Sequence, residues 1–136
     1  VLPGGSIGTA QLGDIVIGFY KSGRTERLAF GIAADAGPVE QFGEGSVAFN
    51  RILLGETKKP VININDVNSF NISSERLKAD SATLAILVLG GTKQRLDGNY
   101  SRDNIEKIGR AELARWNGSG ANMTTRLNAC IRQAKP

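Results

Sequence analysis

Apolar and β-branched residues come in short runs through the first third of the chain. Asp14-Ile15-Val16-Ile17-Gly18-Phe19-Tyr20 has the composition of a strand. Lys21-Ser22-Gly23-Arg24 is a turn signal, and Leu28-Ala29-Phe30-Gly31-Ile32-Ala33-Ala34 reads as the return strand. Residues 14–34 therefore predict a β-hairpin. Ser46 is placed to cap a short helix, Val47 to Leu54, that Gly55 closes. Pro60-Val61-Ile62-Asn63-Ile64 has the pattern of a strand, and the Asn/Ser-rich stretch from Asn65 to Ser74 that of a loop. Ala82 to Leu89 is the strongest strand pattern, almost continuously apolar, as a strand buried on both faces would be. Gly90-Gly91 ends it.

The period then becomes helical. Ser101 or Asp103 can cap a helix that runs to about Trp116, with Ile105, Ile108 and Trp116 on one face. Glu112 falls on that same face, which calls for a place at the stripe's edge or a polar partner. A second helix is expected from Asn122 to Ala134, its stripe formed by Met123, Leu127, Cys130, Ile131 and Ala134. Strands come first and helices last, which predicts an α+β domain built around a compact sheet or small barrel.

Length and composition narrow the chemistry. The 136 residues fit one domain, residues 1–136, and 40% hydrophobic with 22% charged residues is the balance of a globular chain. No apolar run reaches the length of a membrane span. The chain opens at Val1-Leu2-Pro3-Gly4-Gly5 without an initiator methionine, and reads as a trimmed mature chain or a fragment lacking N-terminal residues of a longer one. The net charge of +4 is concentrated late in the chain. It reads as a solvated helical face, because no basic–aromatic interleaving offers a nucleic-acid platform. There is no histidine and one cysteine, Cys130. That excludes Ser–His and Cys–His nucleophiles and any metal cluster of ordinary ligand spacing, and no cofactor is expected. Cys130, in an apolar stripe, reads as a buried thiol.

Carboxylates are then the natural acid and base near neutral pH. The segment from Ala34 to Ala48 holds Asp35, Glu40 and Glu44 and no basic residue, a locally acidic patch in a basic chain. Asp35 stands where a strand ends, and Glu44 lies nine residues on. Gly37, Pro38, Gly43 and Gly45 allow the loop to fold back so that the two carboxyls face each other. Such a patch attracts a cationic ligand and raises the pKa of at least one carboxyl, as protonation of a glycosidic oxygen requires. The same residues also read as a glycine-rich connection with ordinary surface acids.

At this loop the chain resembles the glycoside hydrolase family 75 (fungal-type) chitosanases. Val1-Leu2-Pro3-Gly4-Gly5, Leu12-Gly13-Asp14, Ala34-Asp35-Ala36-Gly37-Pro38, Phe42-Gly43-Glu44-Gly45-Ser46-Val47-Ala48, Leu87-Val88-Leu89-Gly90-Gly91 and the closing helices with Trp116 and Leu127-Asn128-Ala129-Cys130 are similar to that family's segments, in its order. The resemblance implies an inverting endo-hydrolase of β-1,4-linked glucosamine polymers, secreted or periplasmic, monomeric, with a polysaccharide as its partner rather than nucleic acid or membrane. It implies Asp35 and Glu44 as the catalytic pair, with Glu44 assigned as acid and Asp35 as base, although the reverse fits equally. Asp14, Glu40, Phe42 and Ser46 are expected to bind substrate. The loop is also loosely similar to the active-site turn of double-psi β-barrel enzymes, which implies a barrel of about six strands carrying two C-terminal helices. Peptidoglycan cleavage on the same scaffold, and a non-catalytic glycan-binding module, are the alternatives. Phe19, Tyr20, Phe42, Phe49, Phe70, Tyr100 and Trp116 are the aromatic residues available to stack on sugars.

Overall fold

Runs rich in β-branched and aromatic residues form the centre of the molecule. In the computed structural model, which describes residues 2–3, 8–37, 45–56 and 70–118 with positions 125, 126 and 129, β2 spans Ile15–Ser22 and β3 Thr25–Ile32. They pair antiparallel from Ile15↔Ile32 to Ser22↔Thr25, as the hairpin pattern predicts. Gly23 takes φ 55° at the first position of the two-residue turn, a place that favours glycine. β5, Ala82–Leu89, pairs antiparallel along the other side of β2, giving the order β3-β2-β5. Two short strands, β1 (Leu2–Pro3) and β4 (Ala36–Gly37), form a separate parallel pair.

Helices cover both faces of the three-stranded sheet. Helix α1, Val47–Leu54, is capped by Ser46 and closed by Gly55 at φ 75°, as its sequence predicts. It lies on the face that carries Tyr20 and Ala29, where a β-carbon at Gly18 would stand 2.8 Å from the Phe49 ring. The missing side chain there is what admits the helix. Helix α2, Ser74–Ala79, is capped by Ser73. The carboxyl of Glu75 is held below its usual range by its own backbone N–H and by the hydroxyls of Ser73 and Ser74. Helix α3, Arg102–Asn117, starts at its cap Ser101 and covers the opposite face. Its Gly109 presses on Phe30, whose ring would meet a β-carbon at 2.5 Å. Ile15, Ile17, Leu96 and Ile105 are buried between them. Full burial of a side chain of this size stabilises by about 1.5–3 kcal/mol.

Two expectations change, and the fold class holds in its coarser form. The strands do not all precede the helices, because α1 and α2 lie between β4 and β5. Among the described residues the fold is a mixed α/β arrangement of an open antiparallel three-stranded sheet, whose edges are β3 and β5, with three helices. β5 is not buried on both faces: among the described residues it is an edge strand, half-buried along its length with Thr83 exposed. Its unbroken apolarity has another cause. Ala82 and Leu84 pack on the α1 side, while Leu87 and Leu89 pack on the α3 side.

Glu112 reaches polar partners. Its carboxylate accepts from Arg95, in the 3₁₀ turn Lys93–Leu96, and from Arg115 at 2.7 Å. The strand expected at Pro60–Ile64 and most of the helix expected at Asn122–Ala134, with Cys130, lie outside the described residues; Thr125, Arg126 and Ala129 are helical. No described helix is long and apolar enough to cross a membrane.

Candidate functional site

The end of the sheet where β2 begins gathers three loops, and a buried carboxylate ties them. Asp14, 0% exposed, accepts backbone N–H groups from Gln11 at 2.8 Å and Gly91 at 3.2 Å through Oδ2, and from Lys93 at 2.9 Å through Oδ1. Thr92 completes the knot: its hydroxyl accepts from Ile15 N at 2.8 Å and donates to Leu89 O at 2.6 Å. The expected substrate contact at Asp14 is therefore corrected. A carboxylate fully buried and engaged by three donors is a structural clamp, not a surface for a sugar.

The clamp also fixes the segment that leads to Asp35. Gly13 N donates to Ala33 O at 2.7 Å, and Ala33 N donates to Asp14 O at 2.9 Å. Two residues on, Asp35 is exposed, and Ala36–Gly37 then pairs with Leu2–Pro3. Asp35 thus sits between two backbone-paired segments. Its Oδ1 accepts from Ala36 N at 2.8 Å, and it forms no ion pair among the described residues. A free, exposed carboxylate on a fixed backbone has the first property a catalytic base needs.

Ser46 belongs to the same end. Phe49 lies over Gly18 and Gly31, while the Leu53 carbonyl meets Arg27, so α1 runs from the Gly31 region towards the hairpin turn. Its N-terminus therefore points to the end that carries Asp35. The Ser46 hydroxyl accepts from Phe49 N at 3.2 Å as the cap, which leaves its proton free to donate. Glu44, the expected partner of Asp35, lies outside the described residues, as do Glu40 and Phe42. Among the described residues no group of three or more His, Cys, Asp or Glu side chains could hold a metal ion.

Burial removes several of the sugar-stacking aromatics. Phe19, Tyr20 and Phe70 are 5%, 3% and 1% exposed, and Phe49 is half-buried against the sheet. Tyr100 is exposed, and the guanidinium of Arg126 lies 5.1 Å from the centre of the half-buried Trp116 ring. Comparisons with protein-family models, with curated proteins and with solved structures each found no match.

Proposed function

We propose that the chain is an inverting glycoside hydrolase that cleaves chitosan or a related β-1,4-linked amino-sugar polymer, with Asp35 and Glu44 as its two carboxylates. The observation that carries the reading is Asp35 itself: an exposed carboxylate with no ion pair among the described residues, on backbone fixed from both sides, at the sheet end towards which the N-terminus of α1 points. The ordered run of motifs shared with the fungal-type chitosanases adds the substrate class. Glu44 is tethered two residues before Ser46 and so belongs to the chain that enters α1.

In this reading Glu44 protonates the leaving glycosidic oxygen. Asp35 takes a proton from the water that attacks the opposite face of the sugar, which needs the two carboxyls about 6.5–9.5 Å apart. Ser46 can donate to the bound glycan. The proposal includes secretion, a monomeric enzyme, and a barrel of about six strands in which further strands complete the described sheet. Release of reducing ends from well-deacetylated chitosan at mildly acidic pH tests it, with wild type beside Asp35→Asn and Glu44→Gln. Turnover by wild type that disappears in both variants supports it. Turnover of cell-wall polymer alone moves the substrate to peptidoglycan, and binding without turnover makes the chain a glycan-binding module.

A further inference from the structure

The opposite end of the sheet holds a second, differently built feature. Where β2 turns into β3, a cavity of about 310 Å³ opens on the α1 side, with a polar lining of Tyr20, Ser22, Thr25, Arg27, Arg76 and Asp80. The strand register makes this lining. Tyr20 pairs with Arg27 and Ser22 with Thr25, so all four stand on one face, beyond the last turn of α1. Helix α2 adds Arg76 and the Asp80 that ends it.

The hydrogen bonds leave a particular remainder. Asp80 accepts from the Tyr20 hydroxyl at 3.1 Å, its backbone carbonyl accepts from Ser22 at 2.8 Å, and Arg76 Nε stands 3.7 Å from its Oδ2. Arg76 also reaches Glu56 at 3.5 Å. Arg27 uses Nη1 on the Leu53 carbonyl at 3.3 Å, and its remaining donors have no acceptor among the described residues. Among the described residues the charges offset one another: the guanidiniums of Arg27 and Arg76 stand against Asp80, Glu56 and the negative ends of α1 and α2. A site that neutralises itself holds a bare phosphate or ammonium poorly. Donors beside acceptors, in a space of this size, suit a ring whose hydroxyls each give and take a hydrogen bond.

We infer that this cavity is an accessory site for one uncharged sugar unit of a glycan chain, with Arg27 donating to and Asp80 accepting from its hydroxyls. Along β3, Arg27 and Ile32 are about 17 Å apart, so the site is remote from Asp35. It would grip the polymer rather than cleave it. The choice of glycan rests on the function proposed above.

The test is an amide NMR titration of full-length Asp35→Asn protein with the trimer of N-acetylglucosamine, with glucosamine trimer and sodium phosphate in parallel. Saturable shifts at residues 20–27 and 76–80 with the neutral trimer are expected. They should weaken about fivefold, the loss of one hydrogen bond, in both Arg27→Gln and the more conservative Asp80→Asn, and stay unchanged in Arg110→Gln on the other face. Shifts confined to residues 31–36 would overturn the accessory site and leave the proposed function standing. Shifts at the hairpin in a protein that hydrolyses no glycan would keep the site and sink the enzyme. Equal response to phosphate at the same amides, or no response to any glycan, would overturn the inference.

Discussion

The two ends of the central sheet are built on different principles. At the end where β2 begins, a buried carboxylate takes three backbone N–H groups, with the buried Thr92 hydroxyl beside it. At the hairpin end, side chains hold side chains around a partly exposed cavity, as in Tyr20–Asp80 and Arg76–Asp80. Buried backbone bonds around one charge set a loop in a single place, because each donor left unpaired costs about 1–3 kcal/mol. Pairs of long side chains that reach solvent, such as Arg76–Asp80, are worth much less and can re-form around a guest. The first kind of end suits a carboxylate that must not move, and the second suits a site that holds a varied polymer.

That contrast breaks most sharply at Asp14. Asp14→Ala strands three N–H groups and should cost on the order of 3 kcal/mol or more, read as a large fall in the thermal midpoint. Thr92→Val keeps the shape but removes the hydroxyl that Ile15 N donates to, and should cost about 1–3 kcal/mol in denaturant unfolding. At the other end Tyr20→Phe should cost only about 1 kcal/mol, since it removes one hydrogen bond to Asp80.

Tyr20 also gives the hairpin end a signature in pH. Burial first, and then the hydrogen bond and charge of Asp80, push its phenol above the ordinary value of 10.0. The folded state therefore holds the proton more tightly than the unfolded one. This contribution is complete below about pH 10 and is lost as the pH rises through the folded value. Wild-type stability should fall in that alkaline range, and the fall should be shallower in Tyr20→Phe. Lys21→Gln, which deletes an exposed ion pair with Glu26, should change the unfolding free energy by less than about 1 kcal/mol.

Much of this scaffold is legible in the sequence wherever the signal is local. The hairpin follows from two runs rich in β-branched and aromatic residues around Gly23, α1 from Ser46 and Gly55 as its caps, and α3 from the spacing of Ile105 and Ile108. Glu112 is out of place on an apolar stripe, and the arginines that explain it lie 17 and 3 residues away. What the sequence hides is non-local. Asp14 meets Gly91 and Lys93 across 77 and 79 residues, so beside a strand it looks like any surface acid. Tyr20 and Asp80 are 60 residues apart, and no motif announces their cavity. The edge position of β5 is equally hidden, because an apolar run records that each face meets apolar neighbours somewhere along it and says nothing of the strands beside it. For the proposed pair, the sequence offers both acids, and the structure supplies the setting of Asp35 alone.

The most direct measurement is reducing-end release from chitosan by wild type and Asp35→Asn, each checked for an unchanged thermal midpoint. The account predicts turnover by wild type and its near-complete loss in a variant that melts where wild type does. Wild-type rates in Asp35→Asn, or no hydrolysis of any amino-sugar polymer by the native chain, would contradict it.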